Sequence, residues 1–176
     1  MYLICVGDPL RAARPRTQRR HHVHGPRDHT PAEQPLLGRA HYAARALLDR
    51  ELARSGHTFL HSIVLGAIAA EDGEAGREAV TAYTVRTVKV PPADARRALA
   101  ELMDGGYAEA TGEEAGSVRL TGEGAALRAR LGEFSARTAP QVYGDIPAED
   151  LAVAGRVLLQ VMERAEALYA RTADRS

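Results

Sequence analysis

Residues 91–120 constrain the fold of this chain more than any other segment. Residues 91–106 read PPADARRALAELMDGG, in which apolar side chains recur at helical spacing and two glycines follow the last of them. The two prolines are tolerated at the start because the first amide groups of a helix have no partner within it. Two short extended segments, residues 107–111 and 117–120, come next, with turn residues 112–116 between them. The segment therefore predicts a helix followed by a hairpin.

Apolar residues that recur every three or four positions predict five further helices: residues 33–54, 58–70, 77–89, 123–137 and 147–171. Pro140 and Gly144 mark a break before the last of them. From Leu151 to Leu168 the last helix repeats apolar side chains at alternating gaps of three and four residues, which is a heptad-like seam. Such a seam has to pack against another helix, either the first helix of the chain or the same helices of a second subunit.

Residues 57–131 contain three predicted helices followed by a hairpin, which is the order of elements in a winged helix-turn-helix. The predicted fold class is therefore mainly α with a small β-wing. Because this module most often binds duplex DNA, a regulatory function is the leading hypothesis.

Five basic residues are the candidate DNA contacts: Arg86, Lys89, Arg96, Arg97 and Arg119. Arg96 and Arg97 lie on the predicted exposed arc of the recognition helix, where one guanidinium could read a guanine edge and the other hold a phosphate. The other three, late in the preceding helix and at the base of the wing, are predicted phosphate contacts. The alternative is a solvated surface on which the arginines pair with acidic neighbours.

The distribution of charge weighs against DNA binding. Residues 57–131 hold eight basic and eleven acidic side chains, a net charge of −3, whereas a DNA-binding surface is normally basic. Residues 1–40 hold seven arginines and three acidic side chains, a net charge of +4. Arg, Pro and His dominate residues 1–32 without periodicity, which predicts a disordered basic leader. That leader is either a real basic arm or an over-extended reading frame.

Composition and motifs exclude several other classes of protein. The single cysteine, Cys5, excludes an internal disulfide framework, and no apolar run approaches the ~20 residues of a membrane span. A soluble cytoplasmic protein without a membrane partner is expected. The sequence has neither a Gly-rich phosphate loop nor a nucleophile elbow, so we predict no enzyme activity, catalytic residue, cofactor or metal site.

Three segments resemble the MarR family of winged helix-turn-helix transcriptional regulators. Residues 98–107, ALAELMDGGY, are similar to the recognition helix and first wing strand of that family. Residues 118–127, VRLTGEGAAL, look like its return from the wing into the next helix, and residues 143–151, YGDIPAEDL, like the start of its dimerisation helix. The resemblance covers about residues 33–172.

The resemblance implies a homodimer with N- and C-terminal dimerisation helices, residues 33–56 and 132–172 of a MarR-like domain that spans residues 33–176. Its two recognition helices would reach successive major grooves of a pseudo-palindromic operator. It also implies a small-molecule pocket between the dimerisation helices and the winged domain, on or between the first two helices, through which a ligand would release a repressor from DNA. Five residues of that region suit an aromatic or phenolic effector, unless they are ordinary core residues: His41, Tyr42, His57, Phe59 and His61.

The wing departs from the family pattern. Its tip reads GEEAG over residues 112–116, without the arginine that the family usually carries there, and only Arg119 remains at the base. Two carboxylates at the tip would repel phosphate. An alternative function is therefore a winged-helix dimer that no longer binds DNA and acts as a ligand-binding or protein-interaction module.

Overall fold

The structure of the protein, a computed structural model, describes residues 34–70, 74–112 and 116–173. Within these residues the chain forms six helices and three strands: α1 (Gln34–Ala53), α2 (Phe59–Ala70), β1 (Glu74–Gly76), α3 (Arg77–Val88), α4 (Pro92–Asp104), β2 (Ala108–Thr111), β3 (Ser117–Leu120), α5 (Gly122–Tyr143) and α6 (Ala148–Ala173). The predicted basic leader and the centre of the wing tip lie outside the described residues. The mainly helical class with a small β-wing is confirmed.

The core of the winged helix is built on α2, whose sequence FLHSIVLGAIAA is apolar on nearly every side. Buried Val64, Leu65 and Ile68 from this helix pack with Leu102 of α4 and Val118 of β3 in one cluster. Side chains of this kind each contribute about 1.5–3 kcal/mol when they are fully buried. The cluster therefore fixes the recognition helix and the wing against the same central helix.

The wing belongs to a three-stranded antiparallel sheet with the order β1-β3-β2. Strands β2 and β3 form the predicted hairpin. Strand β1 adds a third strand that was not predicted, because it is only three residues long. Ala75 of β1 pairs with Val118, and both side chains are buried. Glu74, Arg119 and Glu109 are direct partners across the three strands, so their side chains share the outer face.

Helix α5 continues past Pro140, and the prediction of a break at that residue was wrong. A proline inside a helix lacks one amide donor and crowds the carbonyl group four residues earlier, but it leaves its own carbonyl available. That carbonyl accepts a hydrogen bond from the Gly144 amide at 2.9 Å, so the last turn closes normally. The helix was predicted to end at Arg137, and it ends six residues later, at Tyr143, directly before Gly144.

The described residues divide into two compact units, and the boundary in the sequence falls within α5, between Arg137 and Thr138. In the second unit, α6 carries acidic residues in its first turn and a basic residue in its last turn, as the helix dipole favours. Many of its large apolar side chains are exposed to solvent, among them Leu151, Val161 and Leu168 of the predicted seam.

Candidate nucleic-acid interface

The recognition helix α4 is stopped and oriented by its glycine pair. Gly106 has a left-handed φ of 77°, which glycine adopts without strain. The Tyr107 amide donates to the Leu102 carbonyl at 2.8 Å, and the Gly106 amide donates to the Met103 carbonyl at 3.0 Å. These two bonds form a Schellman motif, which directs the chain from the helix into β2.

One face of α4 is buried, and the opposite face carries the predicted contact residues. Ala95, Ala98 and Leu99 are among its buried side chains. The Arg96 and Arg97 side chains keep 57% and 65% of their surface exposed. The helical spacing of the apolar residues therefore places both guanidinium groups on the surface, as the sequence predicted.

Both recognition-helix arginines are paired with carboxylates. Arg96 lies 3.5 Å from the Glu78 carboxylate of α3. Arg97 donates to Asp94 at 2.8 Å and lies 3.8 Å from Glu101, one turn away on each side of its own helix. Exposed pairs of this kind are screened by solvent and are worth only about 0.2–1 kcal/mol each. The arginines are therefore neutralised in this structure but held weakly.

Arg119 occupies the centre of the outer face of the sheet. Its Nε donates to Glu109 at 2.8 Å, and Glu74 is its partner on the other neighbouring strand. The Glu74 carboxylate accepts a hydrogen bond from the Thr111 hydroxyl at 2.7 Å. Arg119 is thus a single cation between two cross-strand glutamates, and the row of three has a net charge of −1.

Arg86 and Lys89 lie at the C-terminal end of α3. The Arg86 guanidinium is 5.7 Å from the centre of the Tyr83 ring. Lys89 caps the helix in the left-handed region, with a φ of 56°, and its amide donates to the Val85 carbonyl at 2.8 Å. The Lys89 ammonium donates to the Arg86 carbonyl at 2.6 Å. The structure thus places these two residues side by side on the surface next to α4.

His61 joins α2 to the recognition helix. The Thr58 amide donates to His61 Nδ1 at 3.2 Å, and the His61 amide donates back to the Thr58 hydroxyl at 3.3 Å. This is a capping box in which histidine stands at the position usually held by glutamate or glutamine. Because Nδ1 accepts, the ring hydrogen lies on Nε2, which donates to Glu101 at 2.8 Å. Both ring nitrogens of this buried histidine are therefore engaged by protein partners.

His57 packs beside this bridge. Its ring contacts the Tyr107 ring edge-on at 4.5 Å between centroids and the His61 ring at 5.6 Å. Partial burial, together with the neighbouring His61 and the more distant Arg130, lowers the pKa of His57, although a hydrogen bond to Ser55 opposes the shift. The folded protein therefore favours the neutral form of the His57 ring.

The first unit also contains a cleft of about 110 Å³ between its helices. Its lining is mainly apolar, with two hydroxyl groups from serines and one cation: Leu48, Phe59, Ser62, Ile63, Leu65, Gly66, Tyr83, Arg128, Leu131, Gly132 and Ser135. A Cβ atom at Gly66 or Gly132 would meet nothing within 4 Å, so the two glycines leave the cleft open. Its size suits a ligand of one ring, since pockets for drug-sized ligands are about 300–1,000 Å³.

Of the five residues predicted for an effector, the structure brings only Phe59 to this cleft. His41 and Tyr42 contact each other edge-on at 5.4 Å on the exposed side of α1. His61 forms the bridge between α2 and α4 described above, and His57 packs beside it. Sequence reasoning missed Arg128 and the two cleft glycines, although glycines in the middle of predicted helices were a signal that it could have used.

Metal sites and membrane spans are both missing from residues 34–70, 74–112 and 116–173. No group of three or more His, Cys, Asp or Glu side chains among these residues could hold a metal ion. None of the helices in this part of the chain is long and apolar enough to cross a membrane.

Neither a protein-family model nor a curated protein sequence matches the chain. Solved structures with the same fold are numerous. The organohalide-sensing transcriptional regulator RdhR, in its ligand-free form, superposes with a TM-score of 0.64 at 15% identity, over 82% of this chain and 88% of its own. BpsR of Bordetella bronchiseptica is a second example, and its DNA binding is regulated by 6-hydroxynicotinic acid. It superposes with a TM-score of 0.58 at 22% identity, over 78% of this chain and 98% of its own.

A mutant of MarR from E. coli, in complex with operator DNA, gives a TM-score of 0.60 at 18% identity, over 74% of this chain and 94% of its own. RdhR is a transcriptional regulator, the DNA binding of BpsR is regulated by a small molecule, and MarR binds operator DNA. At such low identity the likeness establishes the fold. This chain therefore has the winged-helix fold of MarR-type transcriptional regulators, as its sequence motifs predicted.

Proposed function

We propose that this protein is a cytoplasmic DNA-binding transcriptional regulator of MarR type, a homodimeric repressor that a small aromatic or phenolic effector releases. The proposal rests on the MarR-type fold and, above all, on one observation in the chain itself. The recognition helix buries its apolar face and presents Arg96 and Arg97 on the opposite face. A helix with this polarity is suited to the major groove of duplex DNA.

In this proposal Arg96 and Arg97 contact base edges and phosphate, and Arg86, Lys89 and Arg119 contact the backbone. A guanidinium can form two parallel hydrogen bonds to a guanine edge, whereas an ammonium acts as a point charge on phosphate. The contacts at the end of α3 and on the sheet would fix the register of α4 in the groove.

The proposed homodimer would explain the apolar side chains that α1 and α6 leave exposed. Leu36 and Leu37 of α1 and Leu168 and Tyr169 of α6 are each about half exposed. Burial of such side chains in a second subunit would be favourable, at roughly 25 cal/mol for each Å² of apolar surface. Because a dimer with two-fold symmetry presents two equivalent recognition helices, its operator would be pseudo-palindromic.

The proposed effector site is the cleft lined by Phe59, Tyr83 and Arg128. Aromatic walls suit a single aromatic ring, and the hydroxyl groups and the guanidinium suit a phenol or phenolate oxygen. A ligand releases the repressor only if it binds the DNA-free arrangement of the dimer more tightly than the DNA-bound one.

A second candidate function is a winged-helix dimer that no longer binds DNA and serves as a ligand-binding or protein-interaction module. The pairing of Arg96, Arg97 and Arg119 with carboxylates favours this candidate, as does the net charge of −3 over residues 57–131. The two candidates share the fold. They differ in whether these arginines leave their carboxylate partners and bind the phosphate groups of DNA.

Fluorescence anisotropy with labelled duplex from the region upstream of the protein's own gene separates the two candidates. The wild type is compared with Arg97→Ala and with Arg54→Ala, which removes an arginine similarly paired three residues back, to Glu51 at 2.9 Å. Because Arg54 lies in a proposed dimerisation segment, size-exclusion chromatography checks that both variants keep the oligomeric state of the wild type. Wild-type binding should depend on sequence, and Arg97→Ala should weaken it by at least about fivefold, the scale of about 1–3 kcal/mol for one base contact. Arg54→Ala should preserve it. Absence of binding at low salt would support the interaction module instead.

A further inference from the structure

We infer that Glu78 and Glu109 compete with DNA phosphate for the arginines of the winged helix and thereby set its affinity for duplex. This inference rests on the proposed function. It identifies two acidic residues, rather than further basic ones, as determinants of binding.

The geometry of the Arg96–Glu78 pair allows such competition. The two side chains come from different helices, α4 and α3, and their charged atoms are 3.5 Å apart. The Glu78 side chain is 82% exposed, so solvent and ions reach it freely. A phosphate could therefore replace this carboxylate without any change in the packing of the two helices.

The sheet contains a second exposed arginine that is paired with a glutamate from a neighbouring strand, and the distance between the charged atoms is shorter there. Arg119 and Glu109 are cross-strand partners, and their charged atoms are 2.8 Å apart. When Arg119 turns towards a phosphate, the Glu109 carboxylate stays on the same face of the sheet because the register of the strands holds it there. The remaining carboxylate would then lie close to the phosphate and repel it.

The carboxylates around Arg97 differ from these two. Asp94 lies in the first turn of α4, where the helix dipole stabilises a negative charge. Glu101 accepts the hydrogen bond from His61 that joins α4 to α2. Either substitution would alter the recognition helix itself, so a change in DNA affinity would have two causes. Glu78 also lies in the first turn of its helix, but that helix is α3 and not the recognition helix. Glu78 and Glu109 therefore allow a cleaner test.

The charge balance gives the direction of the effect. Arg96, Arg97 and Arg119 face the carboxylates of Glu78, Asp94, Glu101 and Glu109, so that the paired groups carry a net charge of −1. Removal of two of the four carboxylates changes this to +1. Affinity for duplex increases with each arginine that is free to neutralise a phosphate, and so does its dependence on salt concentration.

The test compares the double variant Glu78→Gln/Glu109→Gln with the wild type and with Glu133→Gln. Glu133 is also an exposed glutamate paired with an arginine, Arg137, at 3.7 Å, and it lies on α5, away from the proposed DNA contacts. Because residues 132–172 are proposed to form the dimer, size-exclusion chromatography first checks that this variant keeps the oligomeric state of the wild type. Anisotropy titrations with the same labelled duplex are repeated over a series of salt concentrations. Thermal melts confirm that each variant is folded.

We expect the double variant to bind duplex about fivefold more tightly than the wild type near physiological salt, as the weak strength of exposed pairs implies. Its slope of log affinity against log salt concentration should be steeper by about one to two. The Glu133→Gln variant should remain within about twofold of the wild type, because it removes no partner of an interface arginine. Binding by the double variant where the wild type shows none would also support the inference.

If the wild type binds duplex and the double variant binds it no more tightly, the inference fails while the proposed function stands. If Glu133→Gln gains as much as the double variant, the effect is one of net charge and the inference fails as well. If no form of the protein binds duplex at low salt, the inference and the proposed function fail together.

Discussion

Among the glycines of the described residues, Gly124 is the one where substitution by alanine should lower the free energy of unfolding most. It is the third residue of α5, at the point where that helix approaches the strand that enters the wing. A Cβ atom built there would overlap the carbonyl oxygen of Tyr107 and lie 2.9 Å from its carbonyl carbon. These are backbone atoms, so no change of rotamer can relieve the contact.

The size of the effect follows from three contributions. Alanine is favoured over glycine inside a helix by about 1 kcal/mol, which opposes the damage. Separation of α5 from the strand would break two hydrogen bonds, from the Thr121 amide to the Tyr107 carbonyl at 3.2 Å and from the Thr121 hydroxyl to the Gly106 carbonyl at 2.6 Å. Together these bonds are worth about 2 kcal/mol, and overpacking adds about 2 more. Gly124→Ala should therefore lower the free energy of unfolding by about 3 kcal/mol.

Gly132→Ala is the matched control, because it makes the same substitution in the same helix where a Cβ meets nothing within 4 Å. It should raise the free energy of unfolding by up to about 1 kcal/mol. Urea denaturation followed by far-UV circular dichroism, at one protein concentration, measures both variants. If Gly124→Ala is as stable as Gly132→Ala, the close approach of α5 to Tyr107 is refuted.

Three other substitutions test the neighbouring features. Burial and His61 lower the pKa of His57, so the unfolded chain binds a proton more readily than the folded chain. The free energy of unfolding should therefore fall as the pH drops below about 6.5. His57→Gln should flatten this pH dependence in urea titrations, and an unchanged profile would implicate another group. His61→Ala removes the capping acceptor and the donor to Glu101, and a loss of about 2 kcal/mol in the same assay is expected; no loss would exclude the bridge. Lys89→Gly relieves a left-handed φ of 56° and should preserve or raise the free energy of unfolding. The same variant should lower the slope of log affinity for duplex against log salt concentration by about one. Unchanged binding would show that Lys89 does not contact DNA.

Local patterns were enough to predict most of the helices and both wing strands. The recognition helix, predicted to begin at the proline pair and end before Gly105, runs from Pro92 to Asp104. The pairs of Arg97 with acidic residues of the same helix match the alternative that the sequence left open, a solvated face on which the arginines pair with acidic neighbours. The continuation of α5 past Pro140 was missed because a proline disrupts one turn without preventing helix formation on either side.

Contacts between distant residues could not be read from the sequence. The Arg96–Glu78 and Arg119–Glu109 pairs depend on how α3 meets α4 and on the register of the sheet. The cleft draws its lining from positions between Leu48 and Ser135, so no short motif encodes it. The capping box of Thr58 and His61 has the usual spacing of three residues, but it was missed because histidine rarely takes the position that glutamate or glutamine usually holds.

One set of interactions positions the recognition helix, and another set determines the charge of its exposed face. Its position depends on buried Leu99 and Leu102, on the bonds around Gly106 and on the hydrogen bond between His61 and Glu101. Its charge depends on exposed pairs that are worth at most about 1 kcal/mol each. Apart from Glu101, which pairs with both His61 and Arg97, the second set can change without the first. The likeness in fold to MarR-type regulators therefore does not by itself decide between the two candidate functions, and the salt-dependent titrations of the Glu78→Gln/Glu109→Gln variant test the surface charges separately from the scaffold.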